Sequence, residues 1–292
     1  MGLEGIVKFV GKQTWLDPVG DLVQKGIAGA FAAAGQAEQP VKDFMNGVWL
    51  GHPLHPALID VPLGAWTAAL VLDTLEAAGG SSALGSGADA CVTIGVIGAA
   101  GAAVSGLSDW QYTTDEPRRI GSMHALLNTS SLVLYVISLT RRVSGSRGSG
   151  RGFALFGFSL AMAASYLGGD LVYSQRIGVD HARDQPPPED FVSVLTASDL
   201  AVGEKRRVEA NGMPLLLVRQ QDRVYALADT CSHLGGPLSE GEIKDNSVIC
   251  PWHGSCFALE DGKILNGPST YRQPSLEVRE RNGQIEVRGA RG

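Results

Sequence analysis

Four residues with metal-binding side chains form two short motifs in the C-terminal third of the chain. Cys231 and His233 form a Cys-x-His motif, and Cys250 and His253 form a Cys-x-x-His motif, with sixteen residues between the two. Two Cys–His pairs on separate loops suit a [2Fe–2S] cluster in which thiolates bind one iron and imidazoles the other. A structural zinc ion is the competing interpretation. Zinc fingers pair like ligands with like, so the mixed pairs favour the iron–sulfur cluster.

The sequences around these motifs resemble the two cluster-binding loops of Rieske proteins. The matching stretches are CSHLGGPLSEG and CPWHGSCFALEDGK, and Gly267-Pro268 resembles the start of the family's third, proline-containing loop. Ser269 and Thr270 depart from the usual end of that loop. The resemblance covers about a third of the chain and implies a [2Fe–2S] cluster. The ligands that it implies are Cys231, His233, Cys250 and His253.

Neighbouring positions show which Rieske proteins this sequence resembles. Ser255 matches the family serine that donates a hydrogen bond to a bridging sulfide. The high-potential proteins of cytochrome bc complexes have two further cysteines, joined in a disulfide, where this sequence has Gly236 and Trp252. They also have a tyrosine that donates to a ligand sulfur, where this sequence has Phe257. The resemblance therefore implies a potential in the lower half of the Rieske range of about −150 to +300 mV, close to the ferredoxins of oxygenase systems.

The composition argues against several other functions. The chain has 292 residues, a net charge of −6 and four cysteines. It lacks the basic patch that nucleic acid requires, and its cysteines are too few for a disulfide framework. We find no nucleophile–base set, flavin motif or nucleotide-binding loop, and no spare histidines in the C-terminal part for a mononuclear iron site. The sequence indicates an electron-transfer component or oxidoreductase subunit rather than an autonomous enzyme.

Four long apolar segments precede the cluster motifs. They cover approximately residues 57–75, 90–107, 123–140 and 153–173. At a rise of about 1.5 Å per residue, each can cross a hydrocarbon core of about 30 Å. The alternative is a soluble four-helix core. The second segment carries small residues at four-residue spacing, including Gly95 and Ala99, which is typical of helices that pack closely in lipid.

These features divide the chain into four parts. We predict amphipathic helices, separated at Pro18, over residues 1–46, a four-helix transmembrane domain over 47–181, a proline-rich linker over 182–190 and a Rieske domain over 191–292. The amphipathic helices either lie on the membrane surface or pack on their own domain. The linker favours extended polyproline geometry and reaches about 25–30 Å. Short alternating segments and turn dipeptides predict that the C-terminal domain is all-β, attached to an α-helical four-span membrane bundle.

The membrane part has histidines of its own. The segment GHPLHP, which precedes the first span, resembles an uncharacterised family of bacterial four-span membrane domains with an HPxHP motif. Four spans bring one group of histidines to the face where the linker starts: His52, His55, His124 and His181. Near Asp109 and Asn128, His55 and His124 are the best pair for haem b or a quinone, since ionisable groups near a membrane core indicate function. The alternative is that these imidazoles only bond to the backbone.

Together these features predict a membrane-anchored electron-transfer protein of a bacterial cell membrane. Its Rieske head would shuttle single electrons between a quinol or haem donor and an unidentified redox partner protein. We expect this head on the extracytoplasmic side, because the loop between the third and fourth spans is rich in arginine. One alternative is a non-redox membrane module or anchor in which the cluster acts as a sensor. Another is a ferredoxin component of an oxygenase or reductase system.

Overall fold

The computed structural model describes residues 2–290, which form two compact units. The first unit comprises residues 2–35 and 53–177, and the second comprises residues 36–52 and 178–290. Seven α-helices lie within the described residues: α1 (Leu3–Gly11), α2 (Leu16–Ala32), α3 (Glu38–Asn46), α4 (Leu54–Ala77), α5 (Ser82–Trp110), α6 (Asp115–Val143) and α7 (Arg147–Tyr173). All of them except α3 belong to the first unit.

Helices α4 to α7 have 24 to 29 residues and are long and apolar enough to cross a membrane. Only 22% of each apolar window is buried inside the protein, and large side chains such as Ile97 and Phe156 point outward. A soluble four-helix core would bury such side chains, so their exposure favours a membrane domain. Inside the bundle, the rings of Trp66 and Tyr135 stack with centroids 3.9 Å apart, and Gly95 leaves room for Trp66.

One end of this bundle is held by ion pairs. Arg142, almost fully buried, donates to the carboxylates of Asp73 on α4 and Asp89 on α5. Arg147 donates to Asp89 and to Glu76, at 2.8 Å in each case. The arginines that the sequence places near the loop between the third and fourth spans therefore include side chains that tie neighbouring helices together.

The two N-terminal helices pack on the same unit. Val7 and Val10 of α1 contact Ile120 of α6, and Asp17 of α2 accepts hydrogen bonds from Arg118 and Arg119. The chain breaks between Gly11 and Leu16 rather than at the predicted Pro18. Pro18 lies in the first turn of α2, where a helix needs no backbone N–H donor.

The second unit contains ten strands in two antiparallel sheets. The strands are β1 (Val192–Thr196), β2 (Lys205–Ala210), β3 (Met213–Gln220), β4 (Arg223–Ala228), β5 (Glu242–Lys244), β6 (Ser247–Ile249), β7 (Cys256–Ala258), β8 (Ile264–Asn266), β9 (Ser275–Arg281) and β10 (Gln284–Gly289). The larger sheet has the order β1-β10-β9-β4-β3-β2 and the smaller one β5-β6-β7-β8. The turn between β2 and β3 is at Asn211-Gly212, where both residues have positive φ, as a tight hairpin turn requires.

Strand β3 separates two cores. Its side chains alternate, so that Leu215 and Leu217 face one core, whereas Leu216 and Val218 face the other. The second core also contains Cys231 and Cys250. The sheet thereby provides an apolar floor below the two motifs that carry the candidate ligands.

Two segments depart from the domain boundaries expected from the sequence. Residues 36–52, which the expected boundary at 46/47 divides, pack with the β unit because Asp43 and Val48 contact Gly267. The proline-rich linker follows the surface of the β unit, where the carbonyl of Pro188 accepts the N–H of Gly289 at 2.8 Å. The linker is thus fixed along β10 over this stretch rather than extending freely.

Candidate metal centre

Three loops meet above the second core. The first cluster loop, residues 229–238, follows β4; the second, residues 250–255, joins β6 to β7; the third, residues 267–273, joins β8 to β9. Tight backbone turns shape the first two. The N–H of Cys231 donates to the carbonyl of Gly236 at 2.8 Å, and the N–H of Cys250 donates to that of Ser255 at 2.8 Å. Each turn holds one cysteine and one histidine of the motifs on the same loop.

The structure brings the four candidate ligands together as two pairs. The thiols of Cys231 and Cys250 are buried and share a hydrogen bond. The rings of His233 and His253 lie with their centroids 5.1 Å apart and their planes perpendicular. Cysteines are therefore paired in the core and histidines are paired beside each other, which is the division that two irons with different ligands require.

The protonation states of these groups suit metal binding. The hydrogen bond from Cys231 lowers the pKa of Cys250 to about 7, and the same contact, together with burial, raises the pKa of Cys231. Burial lowers the pKa of His233 to about 3 and also lowers the pKa of His253. Both imidazoles are therefore neutral near pH 7, and only the neutral form has a lone pair for a metal.

The donor set fits a two-iron cluster better than a single ion. The two cysteines form one pair in the core, and the two histidines form a second pair beside each other. A tetrahedral zinc site needs four ligands on one ion. A [2Fe–2S] cluster needs only two protein ligands on each iron, because bridging sulfides complete the coordination. The residues present therefore fit the cluster.

A buried polar network, which the motifs do not reveal, joins the three loops. The side chain of Ser232 lies 2.8 Å from that of Ser269, and the N–H of Ser269 donates to Oγ of Ser255 at 3.0 Å. Ser255 accepts this bond, and its own hydroxyl donates to the sulfur of Cys231. The side chain of Ser269, which departs from the usual end of the third loop, thus links that loop to the first.

Gln273 is the second member of the site that sequence reasoning missed. Its amide nitrogen donates to the carbonyls of Ala228 and Thr230 at 2.7 Å each, and its amide oxygen accepts the N–H of Ser232 at 3.0 Å. A buried glutamine with all these partners holds the first cluster loop onto the third. Only the polar residue itself, in a segment between two strands, could have drawn attention to it.

The positions that distinguish this sequence from high-potential Rieske proteins also meet in space. A side chain at Gly236 would lie 2.9 Å from the ring of Trp252 and 3.0 Å from Sγ of Cys250. The indole therefore covers the place between the loops where the resemblance puts a disulfide. Phe257 is fully buried in the core shared with the two cysteines, and Cys256 is buried beside Ser247.

The membrane unit brings His55 and His124 together. Their ring centroids lie 6.2 Å apart with nearly perpendicular planes. Nδ1 of His55 lies 2.8 Å from the carbonyl of Ala102, and Nδ1 of His124 lies 2.8 Å from that of Ala164. A carbonyl can only accept, so each Nδ1 carries the proton and each Nε2 is an acceptor. Nε2 of His124 lies 3.1 Å from the amide nitrogen of Asn128.

The same local geometry occurs twice around this pair. Residues Gly106 and Gly168 each lie four positions after the alanine whose carbonyl is used. A side chain at Gly106 would lie 2.7 Å from the ring of His55, and one at Gly168 would lie 3.0 Å from that of His124. The glycines therefore make room for the imidazoles against the next helix. His52 and His181, which the sequence places on the same face, belong to the other unit.

A β domain with two buried cysteines and two adjacent histidines on paired loops defines a Rieske-type iron–sulfur protein. The chain belongs to the Rieske [2Fe-2S] domain family, whose model matches residues 190–277, and the domain supports a [2Fe–2S] cluster. Residues 51–181 match a second family, described as Predicted membrane protein (DUF2231). The predicted combination of a Rieske domain with a four-span membrane domain is thereby confirmed.

The relatives of the Rieske domain include soluble ferredoxins and larger proteins. Ferredoxin CarAc of Metapseudomonas resinovorans is 36% identical over 100 residues, which cover 34% of this chain and 94% of that protein. Apoptosis-inducing factor 3 of Homo sapiens is 31% identical over 119 residues, which cover 40% of this chain but only 19% of that protein. A solved complex of reduced oxygenase and oxidized ferredoxin in carbazole 1,9a-dioxygenase shares 35% identity over 35% of this chain and 95% of that chain, with a TM-score of 0.33.

Proposed function

We propose that the protein is a membrane-bound Rieske electron carrier in which Cys231 and Cys250 bind one iron and His233 and His253 bind the other. The paired, buried cysteines and the adjacent neutral imidazoles support this assignment. When bound, the cluster reversibly takes up one electron. Ser255 would donate a hydrogen bond to a cluster sulfur, while Gln273 and Ser269 hold the loops in register.

We further propose that the donor is a membrane quinol bound near His55 and His124. The observation that carries this proposal is the arrangement of the two imidazoles, whose Nδ1 atoms are fixed by backbone carbonyls so that Nε2 is an acceptor on each ring. A quinol hydroxyl donates to Nε2 of His55, while the amide of Asn128 already donates to His124. A haem iron would have to displace that amide to reach Nε2 of His124, so the geometry favours the quinol.

The reaction balances with a one-electron acceptor. A quinol loses two electrons and two protons when it becomes a quinone. The cluster takes one electron at a time, so a one-electron redox protein must remove each electron before the next arrives. One proton leaves a quinol hydroxyl for Nε2 of His55, and the other passes to water. Because the chain crosses the bilayer four times, its entry near His55 and its exit toward the cluster domain lie on one face.

The experiment follows cluster reduction by added quinol in proteoliposomes. His55→Ala should leave the low-average-g electron paramagnetic resonance (EPR) signal of the dithionite-reduced cluster intact but abolish reduction by quinol. His52→Ala is the matched control, because His52 lies outside the membrane unit, and this variant should reduce normally. Unchanged reduction in His55→Ala would make the membrane domain only an anchor. A Soret band in the purified protein would identify haem instead.

We also propose that the cluster domain lies on the extracytoplasmic side. The ends of α6 and α7 that face away from His55 carry Arg141, Arg142, Arg147 and Arg151, and positively charged loops are retained in the cytoplasm. Reporter fusions after Gly145 and at the C-terminus test this orientation. A C-terminal reporter that is active only in the cytoplasm would reverse it.

A second candidate function is electron delivery to an oxygenase. The high coverage of ferredoxin CarAc supports it, because nearly the whole of that carrier matches this domain. In this case the reduced protein would reoxidise rapidly when an oxygenase of the same organism is added, and quinol would not be its reductant. Stopped-flow reoxidation with and without that oxygenase separates the two candidates.

A further inference from the structure

Residues 36–52 form a cover over the third cluster loop. The carboxylate of Asp43 in α3 accepts the N–H of Gly267 at 2.8 Å. A side chain at Gly267 would lie 2.9 Å from the Val48 methyl group, so this backbone is in close contact with the segment. The amide of Gln39 donates to the same carboxylate at 2.8 Å and holds its orientation. A segment that precedes the first span in sequence is therefore attached to a loop of the metal centre.

The opposite side of this segment is apolar and exposed. Phe44 is 53% exposed and Trp49 is 61% exposed, and their rings stack with centroids 5.8 Å apart. Val41, one turn before Phe44, is also exposed. The indole N–H of Trp49 donates to the carbonyl of Phe44 at 3.2 Å, so the ring pair has no unpaired donor when it leaves water. Two stacked aromatic rings held outward in this way favour an apolar or interfacial environment.

The position of this pair in the chain identifies that environment. Trp49 is followed five residues later by Leu54, where the membrane-spanning helix α4 begins. Five residues reach at most about 17 Å, so the pair is close enough to the start of this helix to reach the headgroup layer. Tryptophan is enriched at that depth because its ring prefers the boundary between water and hydrocarbon.

We propose that Phe44 and Trp49 insert into the headgroup region of the bilayer at the start of the first span. Through Asp43 and Val48 they hold the third cluster loop, and with it the metal centre, next to the membrane surface. The segment carries Glu38, Lys42 and Asp43, of which Lys42 and Glu38 pair with each other. Insertion therefore depends on the apolar rings and not on anionic lipid.

The returning chain reinforces this attachment within the same unit. The hydroxyl of Tyr271 donates to the carbonyl of Gly178 at 3.0 Å, and the N–H of His181 donates to the carbonyl of Ser232 at 3.3 Å. Residues that follow the fourth span thus contact the first and third cluster loops. Both segments that lead to the membrane spans are therefore bonded to the cluster loops.

The first test measures the depth of Trp49 in nanodiscs of neutral phosphatidylcholine. The emission of Trp49 is obtained as the difference between the wild type and Trp49→Phe. Lipids brominated near the glycerol backbone should remove most of this emission, whereas aqueous iodide should remove little. Strong quenching by iodide without quenching by bromolipid would overturn the proposal and would leave water or a protein partner as the environment of the pair.

The second test measures the orientation of the cluster. In stacked, oriented membranes the EPR signal of the wild-type cluster should depend strongly on the angle to the field. Replacing both rings (Phe44→Ser with Trp49→Ser) should reduce this dependence at least severalfold. Val202→Ser is the control, because Val202 is an exposed apolar residue on another loop of the same unit. An unchanged angular dependence in the double variant would show that the rings do not hold the cluster. Neither test uses a quinol, so both are independent of the proposed donor.

Discussion

The metal centre and the histidine pair of the membrane bundle hold imidazoles in different ways. The rings of His233 and His253 are 5.1 Å apart on loops that are joined by side-chain bonds among serines and Gln273. The rings of His55 and His124 are 6.2 Å apart, and each is bonded to a backbone carbonyl of the next helix.

The two pairs have different hydrogen-bond partners because one lies in lipid and the other in a domain surrounded by water. In a membrane, polar groups must find partners inside the protein, and the carbonyl of a neighbouring helix is one of the few available. A histidine can therefore be satisfied in a bundle without any ligand. In the aqueous domain, loops supply side-chain hydroxyls and amides, so the imidazoles can be kept for metal. The same residue type thus indicates function more strongly in the loops than in the bundle.

The largest expected effect is loss of the cluster from the metal centre, and it should leave the helical bundle folded. Cys231→Ser removes one of the two buried cysteines that would bind the first iron, so the [2Fe–2S] signal should disappear from the EPR spectrum. The helical circular dichroism of the membrane unit should persist. Cys256→Ser is the control, because Cys256 is also buried but is bonded to Ser247 and is not a candidate ligand. The cluster signal should remain in this variant. Zinc at one equivalent without iron in the wild type would contradict the assignment.

Changing an ion pair of the bundle should have the opposite result: the membrane unit should lose stability and the cluster should be unaffected. Arg142→Met leaves Asp73 buried without its closest partner, which should cost about 3 kcal/mol of unfolding free energy. The loss should be at the lower end for buried pairs because Arg151 and Arg147 remain 3.6 and 3.8 Å from Asp73. Denaturant unfolding in detergent micelles, followed by helical circular dichroism, measures it.

Arg141→Met is the matched control for this change, because the neighbouring Arg141 is exposed and should contribute little. The cluster signal should be unchanged in both variants, since the ion pairs and the cluster loops lie in separate units. Loss of the cluster in Arg142→Met at temperatures where the bundle remains folded would break the comparison between the two regions.

A smaller effect is expected on the reduction potential. Phe257→Tyr adds a donor in the core that contains both cysteines. A bond that favours the reduced cluster by about 1 kcal/mol would raise its potential by about 40 mV. Redox titration monitored by EPR measures the shift, starting from a wild-type value in the lower half of the Rieske range. Phe257→Leu should not raise the potential, and an equal rise in that variant would assign the effect to packing.

The smallest effect concerns the attachment of α2 to α6. The hydrogen bond from Arg119 lowers the pKa of Asp17 to about 2. Because this value lies below that of an unfolded aspartate, the contribution to stability is present above about pH 4 and is lost as the pH falls toward 2. The wild type should therefore lose slightly more thermal stability between pH 5 and pH 2.5 than Asp17→Asn does. Equal losses would show that this half-buried pair adds nothing to stability. Glu4→Gln, the control, should behave as the wild type.

Much of this organisation could be predicted from the sequence because it depends on local chemistry. The spacing of Cys231, His233, Cys250 and His253 indicated the cluster, and four apolar segments of spanning length indicated the bundle. Turn dipeptides such as Asn211-Gly212 have backbone preferences strong enough to mark hairpins alone. The pairing of His55 with His124 was expected from the order of the spans, because antiparallel helices return to the same face.

Other features depended on contacts between distant segments. The bond from Gly267 to Asp43 joins residues 224 positions apart, and no local pattern shows that residues 36–52 belong with the cluster loops. In the sequence Gln273 is an ordinary loop residue. Its three hydrogen bonds to backbone groups are visible only in the structure. Periodicity and motif spacing reflect neighbours along the chain, so they determined the cluster motif and the spans. Only the folded chain decided which segments enclose the loops, because such contacts depend on the packing of complementary surfaces from separate parts of the sequence.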